Sequence, residues 1–165
     1  MPVHSAEYGP PITVRTAKGV GRTDLSAWDD ALAIAGVANF NLIRLSSVIP
    51  RNSTLSFDND PMPGNHGDRL YCVYASAVAS KPATEVCAGI GWVRDDTGRG
   101  LFVEHDGASE KEVLELIQLS LEDMNERRGG GYGPIESVTV TARWEDRPAC
   151  ALALASYEVA GWGSA

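Results

Sequence analysis

The run from Ser109 to Gly131 constrains this chain most. Ser109-Glu110-Lys111-Glu112 sets a serine at a cap with a glutamate three residues on, the reciprocal pattern that satisfies free N–H groups at a helix start. The periodicity behind it predicts a helix from about Glu110 to Arg127, with Val113, Leu114, Ile117, Leu121 and Met124 on one face. Arg127 and Arg128 suit its C-terminal dipole, and Gly129-Gly130-Gly131 ends it. A helix with a single apolar stripe lays that stripe on a core. Whatever else the chain does, it must supply a surface for this one.

The other segments indicate what that surface is. A shorter helix is predicted from about Leu25 to Ala35, with Thr23 or Asp24 as N-cap and Gly36 as the stop. Leu25, Trp28, Leu32 and Ala35 form its stripe. Strands are predicted at Ile12 to Arg15, Phe40 to Ile49, Leu70 to Ala79, Thr84 to Val93, Gly100 to His105, Ile135 to Trp144 and Cys150 to Val159. The last is apolar almost throughout and is therefore central. Residues 1 to 11 read as an irregular arm, Lys18 to Gly21 as a turn, and Arg51 to Arg69 as a long polar connection. The tail from Ala160 to Ala165 should fray. The order is α+β and reads as a duplicated βαββ pattern within one domain spanning residues 1 to 165. Two sheets face to face, each covered by a helix, bury both helical stripes.

Composition narrows the partners. The formal net charge of −8 argues against a nucleic-acid backbone and mildly favours a cationic ligand. Cys72, Cys87 and Cys150 lie in apolar strand-like runs without a C-x-x-C, which predicts buried reduced thiols and a cytoplasmic setting. No signal peptide is visible, and no apolar stretch is long enough to cross a bilayer.

Standard catalytic constellations are missing from the sequence. His4, His66 and His105 are isolated, so neither a triad nor metal-ligand spacing appears. There is no G-x-S-x-G elbow, P-loop or dinucleotide fingerprint. What stands out is Asn39-Phe40-Asn41-Leu42-Ile43-Arg44-Leu45-Ser46-Ser47-Val48-Ile49-Pro50, a buried-strand alternation carrying two adjacent hydroxyls just before a proline. An arbitrary Ser-Ser pair at a strand end makes local backbone hydrogen bonds.

The stretch from Asp24 to Pro50, with Trp28-Asp29-Asp30-Ala31-Leu32, Ala35-Gly36 and Asn41-Leu42-Ile43-Arg44-Leu45-Ser46-Ser47, resembles the processing region of pyruvoyl-dependent arginine decarboxylases. Gly100-Leu101-Phe102-Val103-Glu104, followed by the helix that opens at Ser109, resembles the same family. The resemblance implies a four-layer αββα sandwich. It also implies self-cleavage between Ser46 and Ser47, giving chains of residues 1–46 and 47–165. The Ser47 hydroxyl would attack the Ser46 carbonyl, and position 47 would end as a pyruvoyl group, with no external cofactor. That group would hold an amino-acid substrate as a Schiff base and decarboxylate L-arginine to agmatine.

Further roles follow from the same resemblance, residue by residue. Glu104 matches the catalytic glutamate that returns a proton after CO₂ is lost, whereas a strand-end glutamate is otherwise a solvent residue. His105, pointing to the opposite face, is expected to be an exposed neighbour. Asn41 matches the active-site asparagine, and is otherwise a turn residue. Asp29 matches the aspartate that pairs with guanidinium, otherwise a helix-dipole residue. Leu25, Leu32 and Val48 would line the aliphatic stem. The family's trimers carry active sites at subunit contacts, so a homotrimer is expected, all the more if one unbroken strand holds Asn41 and Ser47 far apart. Ala38 stands where a glycine is usual and Phe40 where a smaller apolar residue is usual. Those departures leave two alternatives open: the same chemistry on another amino acid, or an uncleaved binding protein on the same scaffold.

Overall fold

Alternating buried and exposed residues from Ile12 onward form a strand that runs past its predicted end to Val20 (β1, Ile12–Val20). Gly19 was expected to turn the chain but stays in the ladder, paired with Cys150. A Cβ there would lie 2.2 Å from the Ala31 backbone nitrogen, so this glycine is what lets the next helix settle on the strand. That helix is α1 (Asp24–Ile34), capped by Thr23, whose side chain accepts from Ser26 N–H while Ser26 reaches back to the cap. Gly36, at φ +82°, ends it as expected. The buried face of α1 is Ala27, Ala31 and Leu32, continued by Ala35 at the cap, and Leu25 is 72% exposed. The stripe is thus rotated from the predicted one, because small residues allow the close approach that Gly19 opens.

The computed structural model describes residues 9–163. Most of the predicted N-terminal arm, His4 included, and the last two residues of the predicted tail lie outside them. The elements after α1 are β2 (Asn41–Arg44), β3 (Val48–Ile49), β4 (Leu55–Phe57), β5 (Arg69–Ala79), β6 (Glu85–Arg94), β7 (Gly100–Gly107), α2 (Glu110–Arg127), β8 (Glu136–Arg143) and β9 (Ala149–Ala160). They build two sheets, of order β2-β5-β9-β1-β4 and β3-β7-β6-β8. β9 is flanked on both sides and buried along most of its length, as its apolar sequence requires.

Both helical stripes find a sheet. Ala27, Ala31, Leu32 and Ala35 pack with Leu70, Cys72, Cys150, Leu152 and Leu154 of the five-stranded sheet. Val113, Ile117 and Leu121 of α2 pack with Cys87, Val93, Leu101 and Val103 of the four-stranded sheet, with Met124 against them, whereas Leu114, expected on this stripe, is exposed. Gly91 makes the second seat, since a Cβ on it would meet Ile117 Cγ2 at 2.2 Å. Between the sheets lies a third cluster, in which Ile12, Val14, Val73, Ala153, Ala155 and Tyr157 meet Ile49, Ile90, Trp92 and Phe102. The architecture is the α+β sandwich expected, with strands of the two halves interleaved: β9 enters the first sheet, and β3 and β6 the second. All three cysteines are buried free thiols. No described helix is long and apolar enough to cross a membrane.

One predicted element breaks. The strand expected from Phe40 to Ile49 is two strands in different sheets. β2 runs parallel to β5, with Arg44 opposite Cys72, and β3 runs antiparallel to β7, with Val48 opposite Leu101. Leu45, Ser46 and Ser47 carry the chain across. The idea of one unbroken strand holding Asn41 and Ser47 far apart is therefore overturned, and with it the support that strand lent to a homotrimer.

Candidate active site at the sheet crossing

Crossing between sheets requires a sharp change of direction, and Ser47 makes it at φ +72°. A left-handed backbone costs a residue with a Cβ about 1–2 kcal/mol, and serine is not among the residues that accept it readily. The surroundings hold it there. Leu45 N–H donates to Cys72 O at 2.9 Å on the near side, and Phe102 N–H donates to Ser47 O at 2.8 Å on the far side. Strain at a residue pinned from both sides is what a reactive backbone site needs.

The Ser47 side chain is also fixed. Its Oγ donates to Glu104 Oε1 at 2.6 Å, a short charge-assisted bond. Glu104 is brought there by β7, in which Ile90 of β6 is its cross-strand neighbour. Burial raises the Glu104 carboxyl above the ordinary carboxylate value, while the bond from Ser47 and the charge of Arg44 pull the other way. A raised carboxyl one hydrogen bond from a hydroxyl can take that proton, and in its neutral form can give one back.

Tyr157 was not anticipated. It is buried near the end of β9, and its phenol O–H donates to Val48 O at 3.0 Å. Its ring meets Phe102 edge-on, with centroids 6.2 Å apart at 64°. Burial first, and then the charge of Glu104, push the phenol up, so it stays a donor. The sequence did hold a signal: a tyrosine late in an almost wholly apolar strand must find a partner for its hydroxyl. Arg44 was also missed. Its guanidinium lies 4.3 Å over the Tyr74 ring and donates to Tyr74 O at 2.8 Å, within electrostatic reach of Glu104.

The remaining expected site residues are not gathered at Ser47. The Asn41 amide donates to Gly67 O at 2.8 Å, an oxygen that also accepts from Trp162 Nε1 at 2.7 Å. Asp29 and Leu25 are exposed on α1, and the Val48 side chain is 56% exposed. Leu32, expected to line a pocket, packs into the core beneath α1. Ala38 and Phe40 pack against that same cluster, the Phe40 ring lying close to Gly64. His105, expected to be exposed, points away from Glu104 as predicted but is half-buried, bonded through Nε2 to Ser120 Oγ of α2 at 2.8 Å.

The model of the family described as pyruvoyl-dependent arginine decarboxylase matches residues 12–159. The chain is 36% identical over 152 residues to a protein of that name from Halobacterium salinarum, covering 90% of this chain and 94% of the relative. It is 31% identical over 144 residues to one from Thermococcus kodakarensis, covering 86% and 90%. A third, from Methanocaldococcus jannaschii, is 32% identical over 161 residues, with 94% of each chain covered.

Proposed function

The chain belongs to the pyruvoyl-dependent arginine decarboxylase family, and we propose that it converts L-arginine to agmatine and CO₂ with a pyruvoyl group made from its own Ser47. The observation that carries this reading is the hydrogen bond of Ser47 Oγ to Glu104 at a residue held at φ +72°. The surroundings fit the making of such a group. The hydroxyl has an acceptor for its proton, and the Ser47 carbonyl is held by Phe102 N–H.

In this reading Glu104 takes the Ser47 hydroxyl proton as Oγ attacks the Ser46 carbonyl carbon. The peptide C–N bond breaks, an ester forms and position 47 gains a free amine. Loss of the Cα proton of residue 47 then expels Ser46 as a carboxylate and leaves dehydroalanine. Water converts that enamine to the keto group and releases ammonia. The products are residues 1–46, ending in an ordinary carboxylate, and residues 47–165, opening with the pyruvoyl group.

Once present, that carbonyl supplies the electron sink that amino-acid decarboxylation needs, so no added cofactor is called for. Glu104, its carboxyl raised by burial, returns a proton to the substrate Cα from its neutral form. Asp29 pairs with the guanidinium, which separates arginine from lysine by shape as well as charge. Asp29, Leu25 and the Val48 side chain face solvent in the single chain. That supports a homotrimer in which a neighbouring copy brings Asn41 and α1 to each Ser47. Ala38 and Phe40 are packed against the α1 core, so they give no support to a different substrate.

The test is CO₂ release from arginine, lysine and ornithine by purified protein with no cofactor added. Arginine should be the preferred substrate, and agmatine should equal the CO₂ released. Equal turnover of all three would overturn the substrate assignment.

A further inference from the structure

We propose that Tyr157 is a positioning residue that holds the segment after the cleavage bond, before the cut and as the new chain end afterwards. The inference rests on the reading of Ser47 given above.

β3 is two residues long and lies at the edge of its sheet, with β7 as its one partner strand. In an antiparallel ladder successive carbonyls point to opposite sides. Ser47 O points to β7 and accepts from Phe102 N–H, so Val48 O points off the open edge. There Tyr157 O–H meets it at 3.0 Å, reaching across from β9 in the other sheet. The same side chain packs its ring on Phe102, the residue whose backbone holds Ser47 O. Tyr157 therefore holds the Val48 carbonyl directly and backs the hold on the Ser47 carbonyl through Phe102.

Cutting changes what this grip has to do. The uncut segment is tethered through Leu45 to β5 on one side and through β3 to β7 on the other. After the cut, residue 47 is a chain end, and chain ends stay ordered only where they are tied down. Two ladder residues and the Phe102 bond remain, together with the tyrosine hydroxyl. Without that hydroxyl the end loosens, and its spacing from Glu104 loosens with it.

Tyr157→Phe removes the hydroxyl and keeps the ring against Phe102, and Tyr157→Leu removes both. Self-cleavage is followed on denaturing gels, and turnover is expressed per pyruvoyl group titrated with a carbonyl reagent. Tyr157→Phe should slow cleavage about fivefold to tenfold, the range of one hydrogen bond. It should lower kcat per titrated group by a similar factor while KM for arginine stays within about twofold. Hydrogen exchange of the peptide carrying Val48 and Ile49 should quicken, and Tyr157→Leu should be worse on every measure. Wild-type cleavage and wild-type turnover per titrated group in Tyr157→Phe would overturn the proposal. So would a slowing that comes with unchanged exchange at Val48 and Ile49. Wild-type protein that never splits at Ser46–Ser47 would instead sink the underlying reading, and it would do so before any variant is compared.

Discussion

Two groups of residues with assigned roles stand in opposite conditions. Around Ser47 three groups are engaged and one is shielded: Oγ bonds Glu104, the carbonyl bonds Phe102 N–H, the next carbonyl bonds Tyr157, and Glu104 is half-buried with its carboxyl raised. On α1 and β2, Asp29 and Leu25 face solvent, and the Asn41 amide is occupied by a loop carbonyl. The first group is finished within one chain and the second is not. The difference separates two tasks. Making the reactive group, as proposed, draws on strain and a proton acceptor that one chain already holds in place. Recognising arginine, in the proposed reading, needs a surface that a second copy would complete.

The largest effect expected from this contrast is on the finished side. Ser47→Ala should remain one full-length chain on a denaturing gel and show no decarboxylation, since it removes the hydroxyl that is hydrogen-bonded to Glu104. A Ser47→Ala chain that still splits at this bond would make another group the nucleophile.

Glu104→Gln comes next. It keeps the shape but loses both the proton acceptor and the acid, so cleavage and turnover should each fall by about 10²-fold or more. The pH dependences of the two steps should run in opposite senses. Cleavage uses the ionised carboxyl and should quicken as pH rises through its raised pKa, and turnover uses the neutral acid and should fall over the same span. Both profiles should lie above the ordinary carboxylate range, and Glu104→Gln should flatten both. If the two rates rise together with pH, one group does not serve both steps.

On the unfinished side, Asp29→Asn should raise KM for arginine about 10-fold to 100-fold, the worth of a charge-assisted pair, while gels show unchanged cleavage. An unchanged preference for arginine over lysine and ornithine would move recognition elsewhere, with Asp30 the next residue to test. The smallest effect is a rescue. Asn41→Ala and Ser47→Ala chains, each inactive alone, should regain part of the activity when coexpressed, because some contacts then join an intact Asn41 to an intact Ser47. Mixed assemblies that stay inactive would place both residues' work in one chain.

How much of this the sequence disclosed follows the same division. The Ser109 cap, most of the stripe of α2 and the apolar β9 were legible because local periodicity and burial agree there, although Glu112 accepts from Ala108 N–H rather than from the cap and Leu114 is exposed. The exposed face of Leu25 was not, since the seat of α1 is decided by Gly19, a residue on another element whose missing side chain leaves no periodic trace. The break between Asn41 and Ser47 was hidden for a similar reason. Nothing from Asn41 to Ile49 is Gly or Pro, and the bend is imposed by tertiary contacts on a serine that would not choose it. Glu104 could be matched by resemblance, but its bond to Ser47 joins residues 57 apart in the chain, and Tyr157 lies further still.

The central claim is that the Ser46–Ser47 bond is cut and position 47 becomes a keto terminus. Intact mass measurement of the purified wild-type protein tests it most directly. The account predicts two species, residues 1–46 at the mass of simple hydrolysis, and residues 47–165 lighter than simple hydrolysis would give by one ammonia. A single mass for the full-length chain, or a 47–165 fragment that still bears an amino-terminal serine, would contradict it.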